Sequence, residues 1–168
     1  MSHWSAYRCP TCNVNMCIPR GTDFSCENGH IFSLLAEQSI PAFEFQAEDI
    51  NEYSIENAAE IHDNALTWLL KTHHISEDDF RDDVLSKLNL KAGQRVLITG
   101  VGAGNDLPYI CKKIGPTGVV YAQDFSQQML FAAHDRVKNK FGLGEYDIFF
   151  SLSDAVILPF QTDYFDTV

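Results

Sequence analysis

The run Val96-Leu97-Ile98-Thr99 passes directly into Gly100-Val101-Gly102-Ala103-Gly104 and then into Asn105-Asp106. An apolar strand that meets three glycines separated by single residues forces a tight turn and leaves the backbone open to close approach by a ligand. A helix opening just after that turn presents its unpaired amides to the same space. The segment therefore reads as a strand, loop and helix built around a nucleotide-type pocket. A dinucleotide fold would space its glycines as GxGxxG to seat a pyrophosphate, whereas here the third glycine falls one residue early. Asp106 close behind suits the cationic end of a ligand better than a phosphate.

The downstream residues repeat the unit. A helix is expected from Leu107 to Ile114, a turn at Gly115-Pro116-Thr117-Gly118, and a second strand at Val119-Val120-Tyr121-Ala122 ending in Asp124. The spacing, about twenty residues, is that of a βαβ unit. A carboxylate at the end of that second strand can accept hydrogen bonds from two ribose hydroxyls. The plainer alternative for Asp124 is to cap the helix that starts near Ser126. A third segment ends at Asp154-Ala155 ahead of Leu158-Pro159-Phe160, and the sequence closes on Phe165-Asp166-Thr167-Val168.

At the other end, Cys9-Pro10-Thr11-Cys12 and Cys26-Glu27-Asn28-Gly29-His30 form two close pairs separated by a hairpin-sized spacer with a turn at Pro19-Arg20-Gly21. Zinc takes thiolate sulfur and imidazole nitrogen in a tetrahedron, and two residues between cysteines let both face one ion. Cys9, Cys12, Cys26 and His30 thus read as a structural zinc site, closed because four protein ligands leave no open position. Cys17, inside the spacer, reads as a free or packing thiol, with substitution for His30 the open alternative. The start of the chain has no signal-peptide core, so the expected compartment is the cytoplasm, where thiols stay reduced.

Between these parts lie two expected helices. Ser54 caps the first, with Ile55, Ala58, Ala59, His62, Ala65, Leu66, Leu69 and Leu70 as its apolar stripe; Ser76 with Asp79 caps the second, with Phe80, Val84, Leu85 and Leu88 facing in. His62 and Asp63 are neighbours about 100° apart on the helix, so they do not readily hold one proton between them and do not read as a catalytic pair. His73-His74 reads as a helix end. Of the net charge of −11, residues 41–90 account for −9. An acidic stretch repels phosphate backbones, so a nucleic-acid partner is possible but unsupported by charge; no apolar run spans a bilayer.

Two resemblances join these observations. Cys9-Pro10-x-Cys12 followed by Phe24-x-Cys26-x3-His30-x-Phe32 resembles the N-terminal zinc module of the ribosomal-RNA guanine-N1 methyltransferases. Residues 91–168 resemble a class I S-adenosylmethionine-dependent methyltransferase of the ubiquinone and menaquinone group. The matching features are the glycine loop, Asp124-Phe125-Ser126 with Met129-Leu130 and Ala133, Asp154-Ala155 with Leu158-Pro159-Phe160, and Phe165-Asp166-Thr167-Val168. The resemblance implies a Rossmann-like α/β sheet and S-adenosylmethionine as cofactor. It sets Gly100, Gly102 and Gly104 beneath the methionine and ribose, Asp124 on the ribose hydroxyls, Phe125 against adenine, Asp154 on the adenine amino group and Ala155 beside the ring. One departure is Ile98, where the family often carries an acid; Asp106 is the available compensation.

The expected organisation is a zinc module at 1–40, a helical linker or lid at 41–90, and the N-terminal part of a Rossmann-like cofactor domain at 91–168. Three strands and the start of a fourth are legible, against seven in the family, so the sequence reads as part of a longer domain, and exposed edges favour self-association. The expected function is methyl transfer to a small molecule or RNA that the residues do not identify, with no catalytic residue assigned. The alternative is a non-catalytic, zinc-bearing interaction module with a vestigial or regulatory cofactor site. Cys111 and Cys17 have no histidine placed to activate them and read as packing residues.

Overall fold

The structure is a computed structural model that describes residues 3–16, 21–35, 39–43, 53 and 55–168. Its strands β4 (Arg95–Thr99), β5 (Val119–Asp124) and β6 (Asp147–Leu152) pair in parallel, with Val96 opposite Val120 and Tyr121 opposite Phe149. The crossovers are helices α3 (Leu107–Ile114), with the bounds the sequence implies, and α4 (Gln127–Asn139), which starts where the sequence implies. This is a Rossmann-like α/β arrangement.

Three short strands extend the sheet: β1 (Asp23–Ser25), β2 (Ile31–Leu35) and β3 (Ile40–Ala42) form an antiparallel meander. The strand order is β1-β2-β3-β6-β5-β4, and β3 lies parallel to β6 with Ala42 opposite Leu152. The cysteine-bearing segment and the parallel strands therefore share one sheet. No periodicity in the sequence announces that junction, because three residues of Ile-Pro-Ala carry no strand pattern of their own.

A side chain on a strand points to the face opposite its neighbour's, so a sheet covered on both sides needs apolar residues at successive positions. On β4 and β5, Val96, Val120 and Ala122 join Leu107, Ile110, Ile114, Leu130 and Ala133 beneath the helices. Leu97 and Tyr121, one residue out of step, join Trp4, Tyr7, Phe24, Phe32, Phe43 and Phe160 on the other face. That second face is thus roofed largely by aromatic residues from the first forty-odd positions, joined by Phe160. Backbone bonds fasten them: the Arg8 amide donates to the Pro159 carbonyl at 2.9 Å, and the Gln161 amide to the Ala6 carbonyl at 2.8 Å.

Helices α1 (Ala58–Thr72) and α2 (Glu77–Ser86) form as expected, but their buried faces differ from the expected stripes. On α1 only Ala58 and Leu70 are buried, while Ile55 and Leu69 stay 41% and 46% exposed. On α2, Leu85 goes inside, Phe80, Val84 and Leu88 do not, and Arg81 is buried instead. The reason is ionic: Arg81 donates to Glu77 at 2.8–2.9 Å and is paired with Asp106. Ser76 caps α2 as expected, accepting from the Asp79 amide at 3.1 Å. The expected cap Ser54, the turn residues Pro19 and Arg20, and Cys17 lie outside the described residues. His73 closes α1, its amide donating to Leu69. Among the described residues, no helix is long and apolar enough to cross a membrane.

Candidate functional site

Asp124 ends β5, buried, with each carboxylate oxygen accepting one backbone amide: Gly102 N–H to Oδ2 at 2.8 Å and Ser126 N–H to Oδ1 at 2.8 Å. Burial pushes its carboxyl above the ordinary value, against the pull of the Ser126 and Gly102 amides. The helix cap is Ser126 itself, whose Oγ accepts from Met129 N–H at 3.2 Å. Asp124 is thus tied to the glycine loop on one side and to the α4 entry on the other. A carboxylate has about four acceptor directions, so two backbone bonds leave capacity for a ligand.

Above this carboxylate lies a cavity of about 280 Å³ lined by Gly100, Gly102, Asp124, Phe125, Met129, Tyr53 and His62. Gly100 and Gly102 have φ of +70° and +56°, and a Cβ on either would meet nothing within 4 Å. The space over the two glycines is open, as close approach of a ligand requires. Phe125 stands edge-on to Tyr53 with ring centroids 6.0 Å apart. Four of the expected cofactor residues, Gly100, Gly102, Asp124 and Phe125, are therefore brought together.

The other three lie outside that lining. Gly104, with φ of +79°, packs against α3 and α4: a Cβ there would fall 2.9 Å from Leu107 Cδ1 and 3.1 Å from Ala133 Cβ. Overpacking plus left-handed strain gives an expected loss of about 2–4 kcal/mol for Gly104→Val, read as a lower urea midpoint. Asp154 accepts from the Val156 amide at 2.8 Å, and Ala155 is exposed beside it. Asp106 faces Arg81 rather than the cavity, so it is already paired and does not stand in for the acid that Ile98 replaces.

Sequence reasoning missed the far wall, made by Tyr53, His62 and Met129. Helix α1 is fixed over the glycine loop by Asp63, which accepts from Asn105 Nδ2 at 2.7 Å and from an Arg136 guanidinium nitrogen at 2.8 Å. Arg136 also donates to Asn105 Oδ1 at 3.0 Å, closing a three-residue network. Burial alone would raise the Asp63 carboxyl, but the bonds from Asn105 and Arg136 outweigh it and hold it below the ordinary value. A depressed carboxyl contributes stability above its unfolded value and loses it as pH falls through the folded one. The attachment of α1 should therefore weaken in acid. Arg136→Ala should cost about 1.5–3 kcal/mol, the range for hydrogen bonds to a charged group, seen as a melting temperature lower by several degrees. The available signal was the helical spacing that sets His62 one turn beyond Ala58, on a face read only as packing.

The N-terminal cysteines also converge. The Sγ atoms of Cys9, Cys12 and Cys26 and a ring nitrogen of His30 all lie within 4.8 Å of one another. Cys12 and Cys26 sulfurs are 3.7 Å apart, and His30 Nδ1 is 3.7, 3.4 and 3.3 Å from the sulfurs of Cys9, Cys12 and Cys26. A tetrahedral zinc with bonds of about 2.3 Å to sulfur and 2.0–2.1 Å to nitrogen puts its ligands about 3.6–3.8 Å apart, so the set fits that ion. A disulfide would need sulfurs at about 2.05 Å. Burial acts to raise the Cys26 thiol, but the His30 backbone amide, the His30 ring and the Asn28 amide bring it down to about 6. Cys111 differs: burial in α3 pushes its thiol up to about 11, which fits a packing residue.

The demethylmenaquinone methyltransferase of Geobacillus kaustophilus is 34% identical over 89 residues, 53% of this chain and 37% of that protein. The ubiquinone/menaquinone biosynthesis C-methyltransferase UbiE of Burkholderia mallei is 30% identical over 129 residues, 75% of this chain and 51% of that protein. The chain thus spans between about a third and about half of the length of these relatives. A SAM-dependent methyltransferase of known crystal structure from Aquifex aeolicus is 41% identical, covering 42% of this chain and 37% of its own, with a TM-score of 0.38. The ubiE/COQ5 methyltransferase family matches residues 64–168, from the middle of α1 through all three parallel strands, and this chain belongs to that family.

Proposed function

We propose that this chain forms the cofactor-binding part of an S-adenosylmethionine-dependent methyltransferase acting in the cytoplasm on a quinone-type ring, with a structural zinc ion held by Cys9, Cys12, Cys26 and His30. The observation that carries the first part is the buried Asp124 carboxylate at the end of β5, bonded to the glycine loop beneath an open cavity. In this reading Asp124 accepts the ribose hydroxyls, Phe125 lies against the adenine, and Gly100 and Gly102 let the methionine end lie against the backbone. Gly104 supports the loop from behind, and Asp154 and Ala155 reach the adenine edge. S-adenosylmethionine, when bound, supplies a methyl group activated by the positive charge on its sulfur. The protein's task is alignment, and effective molarities for well-oriented groups correspond to about 7–11 kcal/mol of barrier.

The ring acceptor is supported by family membership and by the relatives named for demethylmenaquinone and ubiquinone/menaquinone methylation. Transfer of label from methyl-tritiated S-adenosylmethionine to a reduced naphthoquinone lacking the ring methyl tests it. Label on a ring carbon is the expected result; label that reaches only RNA or another acceptor overturns the ring assignment.

A further inference from the structure

The residue match with the family begins at 64, just past a side chain that lines the cavity. His62 is carried on α1 one turn beyond Ala58, which packs against Ala103 and Met129. Asp63, about 100° round the helix, is bonded to Asn105 and Arg136. These two anchors fix the rotation of α1 about its axis, and with it the place of His62 on the cavity lining that it shares with Gly100, Gly102 and Asp124. Tyr53 also lines the cavity but stands against Phe125, at the end of β5. His62 stands where α1 meets the glycine loop, and among the described residues no hydrogen bond or ion pair engages its ring.

Resting on the cofactor reading above, the nucleoside occupies the Asp124 and Phe125 side, which leaves the sulfur over the glycines. We propose that His62 faces that sulfur and is the residue through which the site discriminates the cationic methyl donor from its neutral product. The two ligands differ only by a methyl group and the charge it confers. A neutral imidazole offers a lone pair to a sulfonium, while a fixed cation at the same place repels it and leaves a thioether untouched. A residue with a merely structural role would shift both ligands together.

The test titrates S-adenosylmethionine and S-adenosylhomocysteine separately into the unsubstituted protein and into His62→Gln, His62→Lys and His62→Glu. His62 is exposed at the cavity mouth, so none of these disturbs a core. His62→Gln, which removes the imidazole, is expected to weaken the donor about threefold or more while leaving the product unchanged, so that discrimination between the two falls. His62→Lys should raise the donor-to-product ratio of dissociation constants about tenfold, and His62→Glu should lower it. Equal changes for the two ligands, or none, in both charged variants overturn the proposal while the cofactor reading stands. Failure of the unsubstituted protein to bind either ligand removes the cofactor reading and this proposal with it.

Discussion

Cys26→Ser is expected to lower the melting temperature by about 10–15 °C, and a strong chelator to do the same to the unsubstituted protein. The size follows from what the cluster supports. Loss of a structural zinc removes folding free energy directly; even about 4 kcal/mol corresponds to a shift of that order in a chain of this size. Cys9 and Cys26 lie in the same buried cluster as Trp4, Tyr7, Phe24 and Phe32, and that cluster also contains Leu97 and Tyr121 of the parallel strands. Releasing the ligands therefore uncovers a face of β4 and β5 as well as a surface loop. Elemental analysis should find about one zinc per chain. A Cys26→Ser protein that melts within a degree or two of the unsubstituted one would overturn the metal assignment.

The other large effect is on binding. Asp124→Ala should weaken S-adenosylmethionine roughly 100-fold or more, since two hydrogen bonds to a charged acceptor are worth roughly 1.5–3 kcal/mol each. Asp124→Asn, which keeps one acceptor oxygen for the Gly102 or Ser126 amide, should hold the loop better yet bind nearly as poorly. Affinity should also fall on mild acidification, because burial raises this carboxyl and the proton returns earlier than on an ordinary carboxylate. Stability runs the other way for the same group. Its proton is held more tightly in the folded state, so its contribution is favourable below the ordinary carboxyl value and lost as pH rises through the folded one. A binding defect near neutral pH is thus separable from unfolding, and the urea midpoint measured beside it makes the separation.

Much of this was legible in the residues because strong local rules act there. The strand into Gly100-Val101-Gly102, the α3 boundaries, the start of α4 near Ser126 and the Cys9, Cys12, Cys26 and His30 grouping each follow from backbone chemistry within a few positions. The parts that escaped depend on distant contacts. Nothing near Ile40-Pro41-Ala42 indicates that it pairs with Leu152, and nothing near Arg81 indicates that Asp106 draws it inside. The apolar stripes on α1 and α2 were read as core because helical spacing usually means burial. Here Asp63, paired with Arg136, and Arg81, paired with Asp106, set the orientation of those helices through ion pairs instead, leaving Leu69 and Val84 exposed. His62 was missed for the same reason: its part in the cavity depends on Asn105 and Arg136, about forty or more positions away in the chain.

The central claim is that the cavity over Gly100, Gly102 and Asp124 is a cofactor site, and calorimetric titration of S-adenosylmethionine into this protein, with Asp124→Ala alongside, tests it most directly. Saturable binding by the unsubstituted protein, lost in a folded variant, is the predicted result. Absence of binding, or binding that survives removal of the Asp124 carboxylate unchanged, would contradict it.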